Sequence, residues 1–175
     1  MNSQYDGLVY DLDGTLVRLD VDWGLVREDV LAVYERAGHD PGERDLWALF
    51  EDAPDFGLTD PVEDAIARHE CEGARSSRRL PHADELVSES RPVAVCSVNC
   101  EQSVRLALEA HGLDDYVRAV VGRDTLATYK PHPEPLLTAI RGLGAGFEPS
   151  AICFVGDTER DAETAERAGT GFEWV

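Results

Sequence analysis

Two carboxylates, Asp11 and Asp13, follow an apolar stretch at residues 5–10 and could form a metal site. They lie two residues apart, so both can reach one site once the chain begins to turn. Paired carboxylates repel each other unless a cation or a proton sits between them. A hard cation such as Mg²⁺ prefers oxygen ligands. For this segment alone, an acidic turn in which Gly14 lets the backbone bend explains the pair better than a metal site.

Groups that could bind an anion occur at two further places. Ser97 and Asn99 end an apolar, strand-like stretch and begin a helix, where a hydroxyl and free backbone N–H groups can hold an anion. Both residue types are also ordinary helix caps. Lys130 is the only lysine in a chain with 15 arginines. A retained lysine indicates that a compact ammonium is needed, as for a point charge on phosphate, although a single lysine can also occur by chance.

Two more carboxylates, Asp157 and Asp161, follow the apolar residues 151–155. Asp161 lies one helical turn after Asp157 and on the same side. Both could complete a metal site, or they could be an ordinary helix cap and a first-turn acid. Because the carboxyl ends of the strands in an open parallel sheet border one crevice, segments far apart in sequence can share a site.

Apolar stretches and helical segments alternate over most of the chain. Short runs rich in valine, isoleucine or aromatic residues predict strands that are covered on both faces, at residues 5–10, 92–97, 117–121, 151–155 and 172–175. The segments between them predict helices at 101–111, 134–141 and 158–168, each followed by a glycine. This alternation predicts an α/β fold with a parallel sheet and helices on both faces.

The stretch at residues 17–80 breaks this alternation, because it contains no convincing strand. Asp22 could cap a helix, and Asp40 and Asp60, each followed by proline, could start two more. The third of these helices is expected to end at Gly73. The first would carry an apolar stripe formed by Trp23, Val26, Val30 and Val33. We therefore expect an all-helical insertion of about 60 residues after the first strand.

In this order, the polar segments resemble the four motifs of the haloacid dehalogenase-like (HAD) superfamily of phosphohydrolases. The matching residues are DLDGT at 11–15, S-x-N at 97–99, K-P at 130–131 and GD-x-x-x-D at 156–161. The resemblance covers the whole chain and implies a Rossmann-like core with a helical C1-type cap. It places the core at residues 1–16 and 81–175, and a small cap at 17–80.

The resemblance also implies a role for each motif residue. Asp11 would be the nucleophile that attacks phosphorus and forms an aspartyl-phosphate. Asp13 would be the general acid for the leaving oxygen and then the general base for the hydrolytic water. Ser97, Asn99 and Lys130 would bind the phosphoryl group, with Lys130 also neutralising charge beside Asp11.

A Mg²⁺ cofactor is part of what the resemblance implies. Asp11, Asp157 and the backbone carbonyl of Asp13 would hold the ion, and Asp161 would bind it through water or orient its ligands. Together these residues would supply the positioning and charge neutralisation that phosphoryl transfer needs.

The second aspartate of the first motif favours phosphate chemistry, because family members that remove halide from carbon lack it. Phosphonate cleavage would need a Schiff-base lysine in the cap, and the one lysine belongs to the third motif. We expect a phosphatase for a small phosphorylated metabolite, resembling phosphoglycolate phosphatase. The alternatives are a phosphomutase resembling β-phosphoglucomutase and a non-catalytic binding module with the same fold.

One basic cluster in the insertion allows two interpretations. Arg75, Arg78 and Arg79 could clamp a second anionic group of the substrate, or they could pair with nearby acids. We favour ordinary ion pairs.

The charge balance is strongly acidic, with 35 Asp and Glu against 16 Lys and Arg and a formal net charge of −19. Such a surface repels nucleic acid and anionic membranes, so neither is expected as a partner. Acidic excess with a single lysine is typical of adaptation to a salt-rich cytoplasm, where screening is strong. The polar N-terminus lacks the pattern of a signal peptide, and no apolar run is long enough to span a bilayer. We expect a cytoplasmic, halophilic protein.

Overall fold

The computed structural model describes residues 4–175, which form seven strands and seven α-helices. The strands are β1 Gly7–Tyr10, β2 Val17–Arg18, β3 Arg78–Arg79, β4 Val93–Cys96, β5 Ala119–Val121, β6 Ile152–Gly156 and β7 Gly171–Trp174. Five of them form one sheet in the order β5-β4-β1-β6-β7, and every neighbouring pair in it is parallel. The predicted α/β fold class is confirmed.

The strands bury both faces because alternate side chains enter different clusters. In β1, Leu8 and Tyr10 belong to one buried cluster and Val9 to another. In β6, Cys153 and Val155 lie on the first face, while Ile152 and Phe154 lie on the second. Their side chains are apolar at every position, as a strand covered on both faces requires.

Helices cover both faces of this sheet. The α-helices are α1 Trp23–Arg36, α2 Leu46–Asp52, α3 Thr59–Arg75, α4 Pro81–Val87, α5 Glu101–Ala110, α6 Pro133–Leu143 and α7 Glu159–Ala168. Leu86 of α4 and Val104 of α5 pack on the face of Leu8, whereas Leu136 of α6 and Ala165 of α7 pack on the face of Val9. The helices that follow β4, β5 and β6 were all predicted within a few residues.

The insertion has a core of its own. A third cluster is formed only by residues of the segment 26–66, including Val26, Val30 and Val33 of α1. Trp23, which the sequence placed on the same stripe, is 42% exposed. This separate cluster supports the division into a core and a cap, which stays a prediction.

Three local features of the insertion differ from the sequence prediction. Helix α2 begins at Leu46 rather than after Asp40, because the Asp45 side chain accepts a hydrogen bond from the Ala48 N–H at 2.8 Å. Asp40 instead closes a short turn with the N–H of Gly42. Strands β2 and β3 pair as an antiparallel ribbon that was not predicted, because two-residue strands are too short to show an alternating pattern.

The third difference concerns the end of α3. The helix continues past Gly73 to Arg75. Gly73 is needed for space rather than for ending the helix, since a Cβ there would lie 2.8 Å from the backbone oxygen of Asp20. Between residues 4 and 175, no helix is both long and apolar enough to cross a membrane.

Candidate active site

The sequence-predicted residues meet at the carboxyl edge of the main sheet. Asp11 follows the central strand β1, Ser97 follows its neighbour β4, and Asp157 follows its other neighbour β6. Lys130 lies in the loop between β5 and α6. Parallel strands therefore bring together four segments that lie far apart in the chain, from Asp11 to Asp157.

Lys130 lies buried between two carboxylates. Its Nζ donates a hydrogen bond of 2.7 Å to Asp11 Oδ1 and another to Asp161 Oδ1. All three residues are at least 96% buried. Burial by itself lowers the pKa of Lys130, but the charges of Asp11 and Asp161 outweigh it and raise that pKa. Burial raises the pKa of Asp11, and Lys130 opposes that effect. Lys130 thus stays an ammonium and holds the Asp11 carboxylate in place.

Three carboxylates at this edge form a group of oxygen donors. Oxygens of Asp11, Asp157 and Asp161 lie within 4.8 Å of one another. Asp157 Oδ1 is buried and has no hydrogen-bond partner among the described residues. Burial and the charge of Asp161 raise the pKa of Asp157. An unpartnered buried oxygen beside two further carboxylates fits a hard cation such as Mg²⁺.

The conformation and surroundings of Gly14 explain why this position of the first motif requires a glycine. Its φ is +97°, a conformation that residues with a side chain rarely adopt. A Cβ at this position would also lie 2.0 Å from Asp157 Oδ2. The turn after β1 can therefore approach the carboxylate after β6 only if this residue is glycine.

Asp13 lines the same cavity but stands apart from the three carboxylates. Its Oδ1 accepts a hydrogen bond from the Leu19 N–H at 2.9 Å, and the Arg18 guanidinium lies 3.9 Å away. Burial raises the pKa of Asp13 above its ordinary value. A carboxyl group that gains a proton more readily suits an acid–base role better than that of a permanent anion.

Ser97 and Asn99 shape the turn between β4 and α5. The Ser97 hydroxyl donates to Asn99 Oδ1 at 3.0 Å and accepts from the Asn99 backbone N–H at 3.2 Å. Asn99 Nδ2 donates to Glu70 Oε1 at 3.2 Å. Both side chains are buried, and Asn99 lines the cavity. The turn is thus held in one conformation just before the N-terminus of α5.

A second buried cation lies beside this turn, and the sequence did not reveal it. Arg123 donates to Glu70 Oε1 and to the Val98 carbonyl, each at 2.7 Å, and binds both carboxylate oxygens of Glu63 at 2.6 and 3.0 Å. Glu70 also accepts a bond from the Cys100 N–H. Burial lowers the pKa of Arg123, but the two glutamates outweigh it and raise that pKa. This cluster joins α3 of the insertion to the turn that follows β4.

The polar edge opens into a cavity of about 740 Å³. The insertion supplies an apolar wall to it, formed by Trp23, Leu46, Trp47, Phe50 and Ile66. The cations that line it are Arg18, Arg123, Lys130 and Arg160.

The predicted cluster of Arg75, Arg78 and Arg79 is not part of the cavity lining. Arg79 pairs with Asp84 at 2.9 Å, and Arg75 donates to the Cys71 carbonyl. Arg79 therefore fits the ordinary ion-pair interpretation.

The sequence of residues 69–175 matches a protein-family model described as haloacid dehalogenase-like hydrolase. The chain belongs to this family. It is an enzyme of the hydrolase class, and the motif segments of residues 97–99, 130–131 and 156–161 all fall within the match.

Several curated or solved proteins resemble this HAD-like hydrolase along nearly its whole length. A protein of Dickeya dadantii named probable phosphatase IndB is 32% identical over 93% of this chain and 77% of its own. The phosphoglycolate phosphatase of Aquifex aeolicus is 29% identical, over 93% of this chain and 81% of its own. A HAD-superfamily hydrolase structure from Geobacter sulfurreducens has 25% identity and a TM-score of 0.64, and the match covers 96% of this chain and 88% of that one.

Sequence reasoning missed Glu63, Glu70 and Arg123 beside this hydrolase's site, and also the cavity-lining residues Arg18, Trp47 and Arg160. Arg123 carries one usable signal, because it follows the apolar strand β5 by two residues and so belongs to the carboxyl edge of the sheet. Glu63 and Glu70 carry none, since an acid within an amphipathic helix is most simply read as part of a solvated face.

Proposed function

We propose that this HAD-like hydrolase is a Mg²⁺-dependent phosphatase that hydrolyses a small phosphorylated metabolite through an aspartyl-phosphate on Asp11. The observation that carries the proposal is the carboxylate group at the sheet edge, with Lys130 bound to Asp11 and an unpartnered oxygen on Asp157. The phosphatase names of two relatives support the same reaction class.

In the first half of the reaction, a carboxylate oxygen of Asp11 attacks the phosphorus of the substrate. A bond forms between this oxygen and phosphorus as the bond from phosphorus to the substrate's ester oxygen breaks. Asp13, whose pKa is raised by burial, gives its proton to the departing oxygen. Lys130 keeps the Asp11 carboxylate oriented, and its positive charge offsets the repulsion between that carboxylate and the phosphoryl oxygens.

In the second half, water replaces Asp11 on phosphorus. Asp13, now a carboxylate, takes a proton from the water as its oxygen attacks. The acyl-phosphate bond breaks, Asp11 is restored and inorganic phosphate leaves. Ser97 and Asn99, together with Lys130, would hold the phosphoryl oxygens through both halves.

Asp11, Asp157 and the Asp13 backbone carbonyl would hold Mg²⁺, with Asp161 beside them. Their oxygen donors suit this ion, and the Asp157 oxygen without a hydrogen-bond donor leaves a position for it. When bound, Mg²⁺ would supply positive charge that stabilises the transferring phosphoryl group.

Turnover of p-nitrophenyl phosphate tests the proposal. We expect Mg²⁺-dependent release of inorganic phosphate, and a loss of at least about 10³-fold in kcat for Asp11→Asn, because the amide cannot replace the attacking carboxylate. Asp115→Asn, an exposed aspartate outside the cavity, is the matched control and should retain activity.

Each alternative gives a different result in this assay. A non-catalytic module would show no turnover at all. A phosphomutase would stop at the aspartyl-phosphate and release little inorganic phosphate, because p-nitrophenyl phosphate has no second hydroxyl to accept the phosphoryl group. If Asp11→Asn keeps most of the activity, the nucleophile lies elsewhere.

A further inference from the structure

The cavity is larger than a phosphoryl group requires. Cavities of about 300–1,000 Å³ hold ligands of drug size, and this one has about 740 Å³. The phosphoryl group would occupy only the polar edge around Asp11 and Lys130. The remaining volume faces the apolar wall, so it has to accommodate the alcohol half of the substrate.

Part of the apolar wall is fixed by contacts among aromatic rings. Trp47 and Phe50 meet edge to face with centroids 5.8 Å apart, and Phe50 meets Tyr129 at 5.4 Å. The Arg160 guanidinium lies 4.0 Å from the centre of the Trp47 ring. These rings therefore form a preorganised apolar surface.

Trp23 is the exception in this wall. It lines the cavity and is 42% exposed, and no ring contact is recorded for it within residues 4–175. The other predicted stripe residues of α1, Val26, Val30 and Val33, are buried in the insertion's core. A large indole that faces a catalytic cavity instead of its own core is available to stack on a ligand.

A small substrate with a second anionic group finds less support in this cavity. Lys130 and Arg123 each lie between two carboxylates, and the Arg18 guanidinium lies 3.9 Å from Asp13. Of the four cations in the lining, Arg160 is the one without a carboxylate partner among residues 4–175, and its guanidinium lies over the Trp47 ring.

We propose that Trp23 determines specificity by stacking on a flat ring in the alcohol half of the substrate. The preferred substrates are then phosphomonoesters that carry an aromatic or heteroaromatic ring. This inference rests on the proposed phosphatase activity and identifies the class of substrate for the same site.

Adenosine 5′-monophosphate and ribose 5-phosphate form a matched pair for the test. Both release a primary alcohol from the same ribose carbon, and only the first carries an aromatic base. Stacking of a base on an aromatic side chain predicts a kcat/KM for the nucleotide about 10-fold higher or more. Trp23→Ala should lower kcat/KM for the nucleotide far more than for ribose 5-phosphate and so remove this preference, whereas Trp23→Phe should keep most of it.

Leu25→Ala is the matched control, because Leu25 lies on the same helix, is 52% exposed and does not line the cavity. This variant should leave kcat/KM unchanged for both substrates. Equal kcat/KM for the two substrates, or a preference that survives Trp23→Ala, would overturn the inference. A higher kcat/KM for 2-phosphoglycolate than for the nucleotide would also overturn it.

Binding to Asp11→Asn, measured by titration calorimetry with the same two compounds, separates this inference from the proposed function. Tighter binding of the nucleotide that is lost with an added Trp23→Ala supports ring stacking even if the wild type hydrolyses nothing. Equal binding of both compounds refutes it whatever the turnover. Failure to hydrolyse p-nitrophenyl phosphate would count against the proposed function alone.

Discussion

Two buried cations, each between two carboxylates, lie at the same edge of this molecule. Their surroundings differ in whether the neighbouring carboxylate oxygens all have hydrogen-bond donors. Lys130 binds Asp11 and Asp161, and Arg123 binds Glu63 and Glu70. Both cations are at least 96% buried. Burial and pairing alone therefore do not distinguish a reactive site from a structural one.

The difference lies in the carboxylates. Glu70 accepts hydrogen bonds from Arg123, from the Asn99 amide and from the Cys100 N–H, so its acceptor positions are largely filled. Near Lys130, by contrast, the ammonium binds two of three neighbouring carboxylates, and one buried oxygen of the third, Asp157, has no donor in the described chain. We call the Arg123 cluster the closed cluster, and we call the Lys130 cluster the open cluster, because it is still able to take a cation. We therefore expect the Arg123 cluster to stabilise the fold and the Lys130 cluster to take part in the reaction.

Removal of the closed cluster's cation should have the largest effect on stability. Arg123→Met leaves the buried Glu70 and the partly exposed Glu63 without their partner, and breaking a buried pair costs about 3–5 kcal/mol. We expect this loss in the free energy of unfolding, measured with urea at neutral pH.

Neutralising all three members of the closed cluster is the control. The triple variant Arg123→Met, Glu63→Gln, Glu70→Gln contains no unpaired buried charge, so it should regain a large part of the lost stability. A loss below about 1 kcal/mol for Arg123→Met would place this pair among weak surface ion pairs and contradict the comparison.

Mg²⁺ should bind at the open cluster and not at the closed one. A ligand that binds only the folded state at 100 times its Kd stabilises that state by about 2.7 kcal/mol. We expect Mg²⁺ to raise the melting temperature relative to EDTA, and Asp157→Asn to abolish most of that rise, because it replaces a carboxylate of the open cluster. Glu63→Gln, which neutralises a carboxylate of the closed cluster, is the matched control. If both variants lose the rise equally, the ion does not bind at the predicted carboxylates.

The open cluster was predictable from sequence, for physical reasons. Asp11 and Asp157 directly follow short apolar strands, and Lys130 and Asp161 lie in the loop and the helix that come after such strands. The sheet edge brings these positions together whatever their separation in the chain. Lys130 was also distinctive as the only lysine. The fold was predictable for the same reason, since strands buried on both faces, alternating with helices, have few arrangements open to them.

The closed cluster was not predictable, because it depends on how the insertion packs against the core. Glu70 lies in the middle of α3, and nothing in its sequence neighbourhood distinguishes it from exposed acids such as Glu72. The start of α2 and the role of Trp23 depend on packing in the same way. Asp45 outcompetes Asp40 as a helix cap, and Trp23 at the start of α1 lines the cavity instead of packing in the insertion's core.

Added salt should have the smallest effect on stability, and it should act on exposed charges rather than on buried ones. With a formal charge of −19 on 175 residues, most acids lack a basic partner. Each pair of like charges 4 Å apart costs about 1 kcal/mol in water, and molar salt shortens the Debye length to about 3 Å. The melting temperature should therefore rise as KCl increases from about 0.1 M to about 2 M at fixed Mg²⁺. A flat or falling melting temperature would contradict the expected adaptation to a salt-rich cytoplasm.

The two kinds of ion pair should respond differently to the same series. Arg141 and Glu134 pair on the surface, with side chains 60% and 44% exposed, whereas the side chains of Arg123 and Glu70 are 3% and 1% exposed. Arg141→Gln should cost at most about 1 kcal/mol at low salt and close to nothing at 2 M, because solvent ions screen exposed charges. The deficit of Arg123→Met should stay nearly constant, since salt does not reach a buried pair. Urea unfolding of both variants at each KCl concentration measures this contrast. If the Arg123→Met deficit shrinks with salt as the Arg141→Gln deficit does, the cluster around Arg123 is open to solvent, and the distinction between a closed and an open cluster fails.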